Sequence, residues 1–170
     1  EVSFAGEFYS ADRARLLPKA QRAGGPPIMI GTLKGGPRMS RLVVQHATMW
    51  NCNLAFGDSG IAAYRRAWEP ILQACERHGR DPTTLVRHAT VGINMTDGPY
   101  PVPGAAPIGG SSRQIADRLA EYAAHGVEHV SIMPHPWTHE GVDRFTAVIE
   151  TLRGAASAGD RRLAGDERAI

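Results

Sequence analysis

Only two cysteines, Cys52 and Cys75, occur in the 170 residues, far apart and with no short secreted scaffold around them. A disulfide framework is thereby excluded, a reducing cytoplasmic setting is expected, and both thiols read as packing residues. Lysine is scarce too: of the 19 basic residues only Lys19 and Lys34 are lysines, and the rest are arginines. The arginines are interspersed with Asp and Glu as on solvated faces. No basic stripe with interleaved aromatics occurs, so nucleic acid is not an expected partner. Long apolar runs are missing as well. The stretches at 28–30 and 42–44 fall far short of the roughly 20 residues that cross a bilayer, and no membrane partner is expected. A net charge of +2 with 42% apolar residues is an ordinary globular composition. Glu1 is no initiator Met and opens no basic-then-apolar leader, so an internal start or a fragment is expected.

What is present is a recurring order of strand and helix. After a polar lead, Pro26 and Pro27 introduce Ile28, Met29 and Ile30, a short buried strand stopped by Gly31. Pro37, suited to a first helical position, opens a helix with Met39, Leu42 and Val43 on one face. A second strand is read at 49–54, then a helix from Ser59 through Ile61, Tyr64, Trp68, Ile71 and Cys75 that Gly79 ends, with a kink or break expected at Pro70. A third strand is read at 86–95. The segment 96–110, with four prolines and four glycines, reads as a loop lying over a pocket. Ser111 and Gln114 form a capping-box pattern, Gly126 closes that helix, and a fourth strand at 127–133 precedes a helix through Val142, Phe145, Ile149 and Leu152. Residues 154–170 are poor in large apolar side chains and are expected to form a disordered or loosely helical tail. Four βα units favour a parallel sheet covered by helices. They fit either half of a (β/α)8 barrel or a small open doubly wound sheet. A barrel half would leave two unpaired strand edges.

The segment Gly31-Thr32-Leu33-Lys34-Gly35-Gly36-Pro37-Arg38 joins a strand end to a helix start with three glycines and two cations. Glycines permit close backbone approach, and the amides and dipole of a helix N-terminus favour an anion, to which Lys34 and Arg38 add charge-assisted bonds. The same spacing also suits a plain βα turn with surface cations, and it matches neither a Walker A loop nor a GxGxxG fingerprint. Parallel α/β folds bind ligands at the C-terminal ends of their strands, which adds Asn51, Asn53, Asn94 and the group Pro134, His135, Pro136 and Trp137. His135 is the candidate acid, base or hydrogen-bond donor, with a loop histidine holding a carbonyl as the plainer alternative. The seven histidines show no metal-ligand spacing, and no metal is expected.

Several segments together resemble the luciferase-like monooxygenases and coenzyme F420-dependent oxidoreductases. They are residues 2–9 and 17–18, Pro26-Pro-Ile-Met-Ile-Gly31, Gly36-Pro-Arg-Met39, Ala47-Thr-Met-Trp-Asn51, Gly110-Ser-Ser-Arg-Gln-Ile115 and Gly126-Val-Glu-His-Val130. The resemblance covers residues 1–153 and is to the second half of that family. It implies the C-terminal half of a (β/α)8 TIM barrel, with residues 31–38 following the fifth barrel strand. It also implies contacts of Gly31, Thr32, Lys34, Gly35 and Gly36 with the phosphate of FMN or coenzyme F420, with Trp50 and Asn51 nearby. The activity implied is hydride transfer or monooxygenation of a small organic substrate. The partners implied are a homo-oligomer or a complementary N-terminal half-barrel. A non-catalytic half-barrel acting as a structural or oligomerisation module is the alternative. Two departures from the family pattern imply a reshaped phosphate corner: the turn is longer than the family's usual Ser-Gly or Gly-Ser-Gly, and Thr48-Met49 stands where an Asp-Gly pair is common.

Overall fold

The computed structural model describes residues 1–15, 17–32 and 36–166, with side chains to 155. The chain opens with an antiparallel hairpin of β1 (Val2–Ala5) and β2 (Ser10–Ala14), closed by the Gly6 amide donating to the Tyr9 carbonyl at 2.8 Å. The polar lead therefore contains a pair of strands that the sequence pattern does not announce. Phe4, Phe8 and Tyr9 stay exposed on it, so no apolar alternation marks either strand.

The main sheet is parallel throughout. β3 (Met29–Thr32) pairs with β4 (Met49–Asn53), β4 with β5 (Val86–Asn94), and β5 with β7 (His129–His135). A two-residue strand, β6 (Ile108–Gly109), pairs with Ile93 and Asn94 on the side of β5 that β4 no longer occupies. Helices α1 (Pro37–His46), α2 (Ile61–Arg77), α3 (Ser112–Ala124) and α4 (His139–Asp166) follow β3, β4, β6 and β7 in turn. Four parallel βα units of this kind form the expected half-barrel. Among the described residues no helix is long and apolar enough to cross a membrane.

Helix boundaries follow local chemistry. Pro37 occupies the first turn of α1 after Gly36, and the capping box of α3 is complete, with Ser111 accepting from the Gln114 amide and the Gln114 side chain accepting from the Ser111 amide. Gly79 and Gly126 end α2 and α3 at φ of 66° and 78°, in the left-handed region. Gly126 has a further reason to lack a side chain. A Cβ there would collide with the Arg87 guanidinium, which donates to the His125 carbonyl at 2.9 Å and lies 5.0 Å from the Trp68 ring centre. Pro70 does not break α2, which runs unbroken from Ile61 to Arg77. Buried Tyr64 on one side of the proline and Ile71, Ala74 and Cys75 on the other hold both halves to the same core. α4 continues through Asp166, past the boundary drawn at 153, and residues 167–170 of the expected tail lie outside the described residues.

The core lies between the sheet and its helices. Trp50, Cys52, Ala89, Val91 and Ile93 from the strands meet Val43, Tyr64, Ile71, Ile115, Tyr122 and Val148 from the helices. Trp50 stacks at 5.8 Å from Tyr64 and 5.3 Å from Trp68, and Tyr64 meets Tyr122 at 5.6 Å. Each such aromatic pair adds about 0.5–1.5 kcal/mol to the area it buries. Burial pushes the Cys52 thiol up to about 12 and raises that of Cys75, so both remain protonated packing groups.

Candidate functional site at the strand tips

Alternation along the strands sends Trp50 and Cys52 toward the helices and Met49, Asn51 and Asn53 to the opposite, inner face. The register then assembles polar rungs across that face. Gly31, Asn51, His88 and His129 stand side by side on β3, β4, β5 and β7, and the next rung holds Asn53, Thr90 and Ser131. His88 joins the two rungs: its Nδ1 is 2.8 Å from Asn51 Oδ1 and its Nε2 is 2.9 Å from Ser131 Oγ. The Thr90 hydroxyl donates to the same Asn51 oxygen at 3.1 Å. Burial, with a smaller contribution from the neighbouring His129, lowers the pKa of His88 and favours its neutral ring.

At one end of this face lies the turn into α1. That helix start has no side-chain cap and no acidic residue in its first turn, and the amides of Arg38 and Met39 have no acceptor among the described residues. Arg38 is exposed and makes no ion pair among the described residues. Gly31 belongs to the inner face: a Cβ there would stand 3.8 Å from Asn51 Nδ2. Lys34 and Gly35, together with Leu33, lie outside the described residues. Gly31 and Asn51 stand side by side on β3 and β4. Gly36 and Arg38 stand at the start of α1, where Arg38 lines a hollow with Arg41, Arg77 and His78, and the side chains of Thr32 and Trp50 turn toward the helices. The Trp50 indole is fully buried on the helix side, where its Nε1 donates to Thr32 Oγ1 at 2.7 Å. Both side chains are taken up by the core and by this bond.

At the other end, loop 96–110 folds back over the tips of β5 and β7. The Asn94 side chain is spent on this loop, accepting from the Thr96 amide and hydroxyl and donating to the Gly98 carbonyl at 2.9 Å. Asn53 is spent similarly on the Ala55 amide at 3.2 Å. His135 is half-buried beside Asn94, and its ring nitrogens have no hydrogen-bond partner among the described residues. Its ring meets Tyr100 edge-on, at 6.0 Å and 85°. Tyr100 is a site residue that motif reading did not single out. Its hydroxyl donates to the Met133 carbonyl at 3.3 Å and occupies space that a Cβ on Gly92 would fill, with the phenol oxygen 2.7 Å from that position. A glycine inside an otherwise β-branched strand was the available signal. Trp137 is 73% exposed and packs over nothing in the core.

No family model matches the sequence, and no curated protein matches it. Solved structures do. An F420-dependent secondary alcohol dehydrogenase, in complex with an F420-acetone adduct, superposes with a TM-score of 0.65 at 12% identity, over 89% of this chain and 56% of that one. The coenzyme F420-dependent tetrahydromethanopterin reductase from Methanopyrus kandleri gives 0.61 at 15% identity, over 90% and 56%. A long-chain alkane monooxygenase gives 0.64 at 11% identity, over 91% and 46%. The chain spans about half the length of these structures. Its fold is that of half of the α/β barrel that these oxidoreductases share.

Proposed function

We propose that the chain is the cofactor-phosphate-holding half of a flavin- or deazaflavin-dependent oxidoreductase of the luciferase-like family, binding coenzyme F420 or FMN. The observation that supports this most is the uncapped, acid-free start of α1. It follows the C-terminal end of β3, the strand that carries Gly31 next to Asn51 of β4, in a fold shared with F420-dependent enzymes. In this reading the amides of Arg38 and Met39, the Arg38 guanidinium and the glycine segment receive the anionic tail. Asn51 offers a side-chain donor next to it. His135, with unpartnered ring nitrogens at a strand tip, gives or takes a proton at the substrate, and Tyr100 fixes the face that His135 presents. The bound cofactor supplies the hydride chemistry, and the protein supplies orientation and exclusion of water.

A small organic substrate and a complementary half-barrel, from the same polypeptide or from another copy, complete the reading. The partly exposed inner face, and the edges of β3 and β7 that pair on one side only among the described residues, support this need for a second half. The test is titration of the protein with F420 and with FMN, followed by ring fluorescence and absorbance. A saturable response to one of them is expected, with Arg38→Glu weakening it about tenfold or more. Absence of any response to both cofactors would overturn the reading and leave a structural half-barrel as the better account.

A further inference from the structure

Asn51 stands beside Gly31 on the inner face, next to the strand that leads to α1, and an amide is useful there only if its donor end faces the ligand. Two donors converge on its oxygen. Thr90 Oγ1 lies 3.1 Å from Oδ1, and His88 Nδ1 lies 2.8 Å from it. The other side of the amide, Nδ2, faces Gly31, whose missing side chain leaves that approach open. A neutral imidazole carries one donor and one acceptor. If Nδ1–H donates to Asn51, Nε2 must accept, and Ser131 Oγ stands 2.9 Å away with a hydroxyl able to donate. With Asn51 Oδ1 as the acceptor, the chain runs from Ser131 through His88 to Asn51, and the Thr90 hydroxyl donates to the same oxygen.

We propose that His88, Thr90 and Ser131 are positioning residues, which hold the Asn51 side-chain amide with its N–H groups directed past Gly31 at an oxygen acceptor of the bound cofactor. This rests on the cofactor-binding reading above. His88 is 8% exposed and sits between its two partners on adjacent strands, so its ring has little freedom to turn. None of the three needs to touch the cofactor. Their effect on it passes through the orientation of one amide.

The experiment measures FMN, F420 and riboflavin affinity by fluorescence titration in the wild type, Thr90→Val, Thr90→Ser and Asn51→Asp, alongside thermal unfolding. Thr90→Val removes one donor at constant shape and is expected to weaken binding about fivefold, while Thr90→Ser restores it. Asn51→Asp keeps an acceptor for His88 and Thr90 but replaces the outward donor by a carboxylate oxygen. Unchanged or raised thermal stability with at least about a tenfold loss of cofactor affinity is expected. Riboflavin separates the two possible acceptors, because a loss seen with FMN and not with riboflavin identifies the phosphate, and an equal loss identifies the ring. Nitrogen NMR of His88 should show the Nδ1–H tautomer. An Nε2–H tautomer, or variants that bind as the wild type does, would overturn the positioning role while leaving cofactor binding standing. A wild type that binds none of the three probes would overturn both.

Discussion

A single methyl group at position 92 would meet the Tyr100 hydroxyl at 2.7 Å and the Ala55 carbonyl at 3.3 Å. The tyrosine is the more yielding of the two, so Gly92→Ala should push the phenol off the β5 tip. It would lose both its bond to Met133 and its edge contact with His135. A cost of about 1–3 kcal/mol is expected from overpacking, read as a lowered urea midpoint with faster proteolysis of loop 96–110. In a Tyr100→Ala background the same substitution should cost much less, because the neighbour it displaces is gone. Equal costs in the two backgrounds would contradict the contact. His135 lends itself to a complementary test. With unpartnered ring nitrogens and a half-buried site, it contributes little to folding, so His135→Asn should leave thermal stability and cofactor affinity nearly unchanged. Turnover by the cofactor-loaded full-length protein should fall about 100-fold or more if the ring transfers a proton. Unaltered turnover would reduce His135 to a packing residue of the loop.

Between elements, one arginine joins the end of α1 to the turn that precedes β5. Arg80 Nη1 donates to the carbonyls of Val44 at 2.9 Å and Ala47 at 2.8 Å, while its Nη2 and Nε bind the carbonyl and hydroxyl of Thr84. It therefore satisfies the orphaned carbonyls at the C-terminal end of α1 and ties them to the turn that feeds β5. Arg80→Met should cost about 2–3 kcal/mol in urea unfolding, and Arg80→Lys should recover only part of it, since a point charge cannot serve the helix end and Thr84 together. The element order around it was legible in the sequence, because α1 announces itself through Pro37, α2 through Gly79, α3 through the Ser111–Gln114 box and Gly126, and α4 through its apolar spacing alone. The β1–β2 hairpin was not legible, since it buries nothing and so carries no alternation. That Pro70 does not break α2 was not legible either: the packing that holds both halves of the helix comes from α1, β4 and α3, which local sequence does not describe. The glycine segment and His135 were readable as strand-end features. The link of Asn51 to His88 and of His88 to Ser131 spans 37 and 43 positions, and it becomes visible only once register is known.

At the scale of the whole molecule, the inner face sets both the pH response and the state of association. His88 titrates at a lower pH in the folded chain than its ordinary value of 6.5, because burial and His129 disfavour its charged form. The unfolded chain therefore binds the proton first. The stability that His88 contributes is complete above about pH 6.5 and is lost as the pH falls through the folded value. A urea midpoint that declines from pH 7.5 to 5, with a shallower decline in His88→Gln, is the expected result, and parallel profiles would contradict it. The edges of the same sheet carry a prediction about association. β3 and β7 each pair on one side only among the described residues, with Met29 53% and Val130 37% exposed on them. Beside β7, a groove of about 530 Å³ between α3 and α4 is lined by Leu119, Val127, Ile132, Phe145 and Ile149. Unpaired parallel edges flanked by apolar surface favour pairing with another chain. Two such sheets related by a twofold axis along the barrel could join β7 of one to β3 of the other with all strands still parallel. Residues 1–170 on their own should therefore self-associate, with an apparent mass that rises with concentration in sedimentation equilibrium. Met29→Lys and Val130→Lys, which place charges on the two edges, should shift the equilibrium toward monomer without unfolding it. A wild-type chain that stays monomeric at high micromolar concentration would show that these edges are protected without a second half.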